Sequence, residues 1–272
     1  MSNDVLSKLL DDEFNWEEIV LPSKGLYYGN NWSKTPMPDG KIMVRPWTIS
    51  EEKILNTSRL LQSGQAFKMI FQRTCKFPEG FDIDSLLIGD RAFLMLYFRG
   101  ISYGNKYEFQ LTCSNDDCKV QSPYEYDLNG LAGSITWAKE ENGMEPFEVV
   151  LPDFSKKAGE PVKAKWRLTR QYDLTNLDVA KSTKHGDKNA VDDTMSLELS
   201  QSIVEIAGTS DKSIISRVVN RLSSRDASII RKAIQDNTPG VAPKVSVDCP
   251  ACGNHMEVGL PITEGFFRYT GD

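Results

Sequence analysis

Four cysteines in two pairs offer the most specific chemistry in this sequence. Cys113 and Cys118 bracket one turn, and Cys249 and Cys252 bracket another, Cys249-Pro-Ala-Cys252-Gly253. Apolar residues alternate with polar ones on both sides of each pair. Tyr107, Phe109 and Leu111 lead into the first pair, and Tyr124, Tyr126 and Leu128 lead away from it. Val245 and Val247 lead into the second, with Met256, Val258 and Leu260 beyond it. Alternation of this kind is the period of a half-buried strand. The same unit therefore occurs twice: a strand, paired cysteines in a turn, and a second strand.

Two such turns facing each other would supply four thiolates at about 2.3 Å from a tetrahedral zinc ion, as in a zinc ribbon. Backbone N–H groups of the turns can donate to the sulfurs, and Gly253 suits a turn that needs permissive backbone angles. The expectation is one structural zinc per chain, held by Cys113, Cys118, Cys249 and Cys252. Four protein ligands leave no position for a metal-bound water, so such an ion holds structure and does not catalyse. The first turn is the wider of the two, with Ser114 to Asp117 between its cysteines. The two turns also lie far apart in the chain, so the intervening segment must be inserted between hairpins that meet in space. A redox Cys-x-x-Cys pair is the rival for Cys249 and Cys252, but it leaves Cys113 and Cys118 unexplained.

No catalytic set emerges beside the cysteines. The chain has two histidines, His185 in a polar stretch and His255 beside the second turn. Neither sits in a pattern for nucleophilic catalysis, and His255 reads as a surface neighbour of a complete ligand set. Walker and Rossmann glycine patterns are absent. Asp82, Asp84 and Asp90 lie close together in sequence and read as helix-capping acids. Cys75, in an apolar helical pattern, reads as a small core residue. These observations favour a non-enzymatic protein.

Charge narrows the partners. The formal net charge is −6, and it is unevenly placed. Residues 1–20 carry Asp4, Asp11, Asp12, Glu13, Glu17 and Glu18 against Lys8, six acids to one base, or −5. The remaining −1 gives no general attraction to phosphate backbones. Nucleic-acid binding would have to use Arg217, Arg221, Arg225, Arg231 and Lys232, which otherwise read as a solvated face. The acidic N-terminus lacks the apolar run of a secretory signal, and Ala92–Phe98 is too short to span a bilayer. Few, paired cysteines fit a reducing compartment better than a disulfide framework. A soluble cytoplasmic chain with no membrane contact is the expectation.

The elements that must position the cysteines follow from periodicity. Val5, Leu6, Leu9 and Leu10 have helical spacing among the N-terminal acids, which suits a solvated terminus or an arm that docks on a partner. Ile19–Leu21 and Ile42–Arg45 read as strands around a Pro/Gly/Asn-rich stretch. Ser50 offers a helix cap, with two helices following, separated near Gly64. Another helix or pair of turns is expected over 84–99. Phe147–Leu151 and the alternating Val162, Ala164, Trp166 and Leu168 can pair across a Lys156–Pro161 loop. Leu197, Ile203, Val204 and Ala207 suggest a helix, as do Ile215, Val218, Val219 and Leu222. Ser224 can cap a last one that stops before Pro239-Gly240. Lys181–Asp193 reads as a loop. Phe266, Phe267 and Tyr269 must either pack on their own fold or anchor a neighbour.

The fold class expected is α+β, with a small antiparallel sheet region, a split four-cysteine zinc ribbon and a helical subdomain. The chain divides into an acidic arm (1–17), an α+β region with the first cysteine turn (18–170), a helical subdomain (171–240), and the second turn with an aromatic tail (241–272).

Several segments also carry a resemblance. Leu21-Pro-Ser-Lys-Gly-Leu-Tyr27 is followed by Val44-Arg-Pro-Trp-Thr-Ile-Ser-Glu-Glu-Lys-Ile54, then Gly89-Asp-Arg-Ala-Phe-Leu94 and Arg99-Gly-Ile-Ser-Tyr-Gly104. Cys249-Pro-Ala-Cys-Gly253 and Gly265-Phe-Phe-Arg268 close the series. In order and spacing they resemble the baseplate hub protein family of T-even-type contractile-tailed bacteriophages, over residues 18–130 and 222–268. The resemblance implies a structural or assembly protein made in the host cytoplasm, with other hub or wedge proteins of the tail baseplate as partners. It implies no catalytic residues. The alternative from the residues themselves is a zinc-ribbon adaptor that binds nucleic acid.

Overall fold

A computed structural model describes residues 14–175, 194–262 and 264–267. The expectations for Val5–Leu10, Lys181–Asp193, Arg268 and Tyr269 fall outside these residues. Among the described residues the fold is a mixture of helices and small antiparallel sheets. Strands β1 (Glu17–Val20), β2 (Lys41–Val44) and β3 (Cys75–Lys76) form one antiparallel sheet in that order. Between β2 and β3 lie helices α1 (Ile49–Leu55), α2 (Ser58–Gln62) and α3 (Gln65–Thr74). Gly64, at φ +69°, separates α2 from α3. The first of these helices is capped by Thr48, not by Ser50. Thr48 accepts from the Ser50 N–H, and the Glu51 carboxylate accepts from the Thr48 N–H at 2.9 Å, a reciprocal capping box.

The long helix α4 (Ile88–Tyr103) runs through the core, burying Leu94, Met95, Leu96 and Phe98. Its ends explain two glycines. Gly104 stops it at φ +85°, and Gly89 meets another backbone so closely that an added Cβ would lie 1.7 Å from the Pro239 oxygen. That contact seats the short strand β10 (Gly240–Val241), which pairs with β6 (Ile135–Thr136). From the C-terminal end of α4 the chain enters the hairpin β4 (Lys106–Thr112) and β5 (Gln121–Asp127). From β10 it enters the hairpin β11 (Lys244–Asp248) and β12 (His255–Gly259).

The third sheet has the order β7 (Phe147–Val150), β8 (Lys163–Trp166), β9 (Ile203–Ile206). Strand β9 corrects the helix expected through Ala207. The helix α6 (Thr194–Ser202) stops at Ser202, and Ile203 and Val204 belong to the strand. An apolar pair followed by Ile206 satisfies either period locally. Pairing of Trp166 with Ile203 and Ala164 with Ile206 decides for the strand, and both isoleucines are buried.

Between β7 and β8 a helix, α5 (Pro152–Ala158), takes in the first half of the expected loop. Gly159 ends it at φ +80°. Its first N–H groups, on Asp153 and Phe154, donate to the buried Asp226 carboxylate at 3.1 and 3.0 Å. Helices α7 (Lys212–Val219) and α8 (Ser224–Asn237) are capped by Asp211 and Ser223. Ser223, not Ser224, accepts from the Asp226 N–H at 3.0 Å.

Two main apolar cores result. The larger joins the first sheet, α3, α4 and both ends of the chain's described residues, with Phe266 and Phe267 inside it. Phe267 stacks on Trp47 at 4.9 Å, and Phe266 meets Tyr107 edge-on at 4.8 Å. These two aromatics are therefore core residues and not anchors for a partner, because their rings are already covered. The smaller core joins Leu151 and Ala164 to Leu199, Ile203, Ile215 and Ile230. It draws on residues from both sides of position 170.

Charged groups hold the irregular segments. Arg170 and Glu145 are fully buried and 2.6 Å apart, and Arg170 also donates to the Tyr27 and Leu168 carbonyls. Asp90 does more than cap a helix. Fully buried, it accepts from the Ser23 N–H at 2.9 Å and the Tyr28 hydroxyl at 2.7 Å, fastening the loop after β1 to α4. Burial pushes its carboxyl up from an ordinary 3.8 to about 6, against the lowering effect of those bonds.

A raised carboxyl pKa means that the protonated form is favoured by folding. The stabilisation from Asp90 is complete below about pH 4 and is lost as pH rises through 6. Between pH 5 and 7 the unfolding free energy of the wild type should fall by about 1 kcal/mol relative to Asp90→Asn, read from paired urea titrations. Gly89→Ala should cost about 3 kcal/mol or more in the same measurement, because the new methyl meets rigid backbone.

Candidate metal centre

Each cysteine turn is shaped by its own hairpin. In the first, the Cys113 N–H donates to the Val120 carbonyl at 2.9 Å, and the Cys118 N–H to that of Asn115 at 3.0 Å. In the second, the Cys249 N–H donates to the Asn254 carbonyl at 2.9 Å, and the Gly253 N–H returns to that of Cys249 at 2.8 Å. The residue after each second cysteine has the left-handed conformation: Lys119 at φ +48° and Gly253 at φ +70°. The two turns are thus alike in backbone path although one is two residues longer. Only the second has the residue type that this conformation favours.

The hairpins bring all four sequence-expected cysteines together. Their sulfurs lie within 4.8 Å of one another. Cys113 Sγ is 3.7 Å from Cys252 Sγ, and Cys118 Sγ is 3.9 Å from Cys249 Sγ. A tetrahedral ion with metal–sulfur bonds of about 2.3 Å needs sulfurs about 3.8 Å apart. A disulfide needs about 2.05 Å, and all five cysteines are free thiols. The donor set fits a metal ion of the kind that prefers soft, tetrahedral thiolate ligands.

The surroundings of the sulfurs agree with that fit. The Ala251 and Cys252 N–H groups point at Cys249 and lower its thiol to about 7. At Cys118 the Val120 N–H also favours the thiolate, but burial and the neighbouring sulfurs outweigh it and push the thiol up to about 11. The Asn115 N–H favours the thiolate at Cys113, again outweighed by burial and the crowd of sulfurs. Backbone donors thus favour the thiolate at three of the four sulfurs, and a coordinating ion would deprotonate its thiol ligands outright. Asn254 Nδ2 lies 3.8 Å from Cys113 Sγ and donates to Ser114 Oγ at 3.0 Å, tying one turn to the other. Met256, Tyr124, Val247 and Val258 wall the site on its apolar side. The backbone donors are those expected of such turns, whereas Asn254 and the left-handed Lys119 were not apparent from residue spacing. The repeated strand–turn–strand pattern was the only available signal for them.

Other candidates resolve differently. His255 is exposed and faces Asp248 at 2.7 Å, outside the sulfur cluster. Cys75 is buried in the main core, where burial drives its thiol far above the ordinary range. Asp82 caps the turn at Asp84, and Asp84 pairs with Lys68. The basic row on the late helices is partly neutralised, Arg225 by Asp153 at 3.7 Å and Lys232 by Asp236 at 2.9 Å. Among the described residues no helix is long and apolar enough to cross a membrane.

If the left-handed residue limits each turn, Gly253→Ala should cost about 1 kcal/mol, since nothing lies near the added methyl and only the backbone angle is strained. Lys119→Gly should not lower stability, because relief of the same strain offsets the added freedom of the unfolded chain. Thermal unfolding of the metal-loaded variants compares the two.

A family model described as T4 bacteriophage base plate protein matches residues 30–268. The match includes both cysteine pairs, the smaller core, the larger core except its members before residue 30, and the whole of α4. No curated protein and no solved structure matches the chain.

Proposed function

The chain belongs to the T4 bacteriophage base plate protein family, and on that premise we propose that it is a non-enzymatic structural or assembly protein of the baseplate hub. Its partners in this reading are other hub or wedge proteins of the tail. It is made in the host cytoplasm and acts through protein–protein contacts. One zinc ion, held by Cys113, Cys118, Cys249 and Cys252, staples the fold. The observation that carries the metal assignment is the convergence of four free thiols at tetrahedral spacing.

The staple has a clear physical task. The β4–β5 and β11–β12 hairpins are separate two-stranded sheets, and a two-stranded sheet is marginal by itself. A shared ion makes their stabilities one quantity. A closed set of four thiolates has no vacant position for substrate, which suits a structural role. Zinc answers the donor set without redox chemistry, and the reducing host interior keeps the thiols available. The nucleic-acid reading gains no comparable support, because two of its five candidate groups, Arg225 and Lys232, are paired with acids.

Metal analysis of the purified chain should find one zinc per chain. Acidification should release it, because protons compete for the thiolates. Cys113→Ser and Cys252→Ser should each lose the metal and lower the melting temperature, with exchange protection falling in both hairpins together. During infection, the Cys252→Ser chain should co-purify poorly with baseplate assemblies. A metal-free chain that melts like the loaded one would overturn the staple. A wild-type chain absent from tails and from assembly intermediates would overturn the baseplate role.

A further inference from the structure

Exposure divides the four clustered cysteines. Cys113 and Cys249 are 2% exposed and pack with Met256, whereas Cys118 is half-buried and Cys252 is exposed. A small oxidant arriving from solvent therefore meets Cys252 first, since susceptibility follows access. The neighbours of the Cys252 sulfur come from the other hairpin. Cys113 Sγ lies 3.7 Å away and Asn115 Nδ2 4.0 Å away.

Two disulfides are open to Cys252, one across the hairpins to Cys113 and one within its own turn to Cys249. The turn works against the second. The Ala251 and Cys252 N–H groups point at the Cys249 sulfur, and a Cys249–Cys252 bond would have to give up those donors. Cys113 has no such tie to the second turn beyond Asn254 Nδ2 at 3.8 Å. To reach a disulfide length of about 2.05 Å its sulfur and that of Cys252 must approach by about 1.7 Å, which lies within the reach of side-chain rotation.

We propose that Cys252 is a peroxide-sensitive modification site and that Cys113 resolves it, so that oxidation joins the two hairpins covalently. The Cys252 thiolate attacks one oxygen of a hydroperoxide. An S–O bond forms, the O–O bond breaks, and the departing hydroxide takes up the proton that Cys252 lost. Cys113 then attacks the sulfenic sulfur. An S–S bond forms, the S–O bond breaks, and this second hydroxide takes the Cys113 proton. In sum, two thiols and one hydrogen peroxide give one disulfide and two waters, with two electrons passing from sulfur to oxygen. The link rests on the sulfur geometry alone. On the metal reading it has a further consequence: an ion at the site loses two of its four ligands and is released, and a covalent staple replaces the metal one. A reducing cytoplasm keeps the thiols free, whereas a chain carried out of the cell in a particle meets oxidants.

The test treats the purified full-length chain, freed of reductant, with excess hydrogen peroxide, then alkylates the remaining thiols for peptide mass spectrometry. The main product should be a peptide pair joined through Cys113 and Cys252, reversed by a thiol reductant. With dimedone present during the reaction, the wild-type chain should carry the label at Cys252, which identifies the attacked sulfur without a variant that risks unfolding. Cys113→Ser should lose the link and gain dimedone at Cys252 several-fold. After chelation of metal, the oxidised chain should melt about 5 °C or more above the reduced one, because the link spans 139 positions of chain. A Cys249–Cys252 link as the main product, dimedone on Cys118 in place of Cys252, irreversible sulfinate without a link, or a chain unchanged by peroxide would each overturn the proposal. Zinc measured on the untreated chain tests the metal assignment separately: a zinc-free chain that still forms the Cys113–Cys252 link would sink that assignment and support this one.

Discussion

The approach of Gly89 to Gly240 is the constraint on which the arrangement of this molecule turns. At that point the first turn of α4 lies against the backbone of Pro239 and Gly240, with no room for a side chain on either glycine. The contact sets where β10 lies, and β11 begins three residues after it. The other cysteine hairpin leaves the opposite end of the same helix through Gly104. Both cysteine turns are therefore hung from one rigid rod, one from each end, although a long stretch of chain separates them. Four sulfurs can reach tetrahedral spacing only because the rod and the glycine contact hold the hairpins in register. A metal ion at these sulfurs would be the last member of an arrangement that packing has already prepared.

Buried charge gives this packing its specificity. Glu145 and Arg170 have no exposure, and between them they engage the Asn30 amide, the Tyr27 carbonyl and both backbone groups of Leu168. A pair of this kind adds little net stability, because removing both charges from water cancels most of their attraction. It penalises alternative packings heavily, since any of them strands a charge. Asp90 and Asp226 act similarly. Each receives two donors from a segment far away in sequence, Asp90 from the Ser23–Tyr28 loop and Asp226 from the start of α5. The loop that Asp90 fastens is the Leu21–Tyr27 segment, and Asp90 itself belongs to the Gly89–Leu94 segment. Two of the motifs that carry the family resemblance are thus halves of one buried contact.

The same contacts explain why the expectations held where they did. The strands beside the cysteines lie where alternation put them because a hairpin's pairing and its burial pattern are both local. The cysteine turns themselves were readable for the same reason. Helix caps were displaced by one or two positions, to Thr48 and Ser223, since several hydroxyl residues stood at each start and only the three-dimensional path selects one. The run Ile203-Val204 was read with the wrong period because four apolar-rich residues cannot distinguish helix from strand. Asp90 looked like a surface cap, and nothing in its neighbourhood marks it as the fully buried acceptor for residues more than sixty positions earlier.

Local order thus came from the sequence itself: the two strand–turn–strand units, the helical stripes, the break near Gly64, and four thiols of a type that binds metal. Each depends on residues within a few positions of one another, where side-chain period and backbone preference act directly. Tertiary structure alone decided that Cys113 would meet Cys252, that Ile203 would join a sheet, that Asp226 would cap another helix, and that Phe266 and Phe267 would face inward. Those outcomes depend on partners distant along the chain, and a contact across such a separation leaves no periodic trace in either segment.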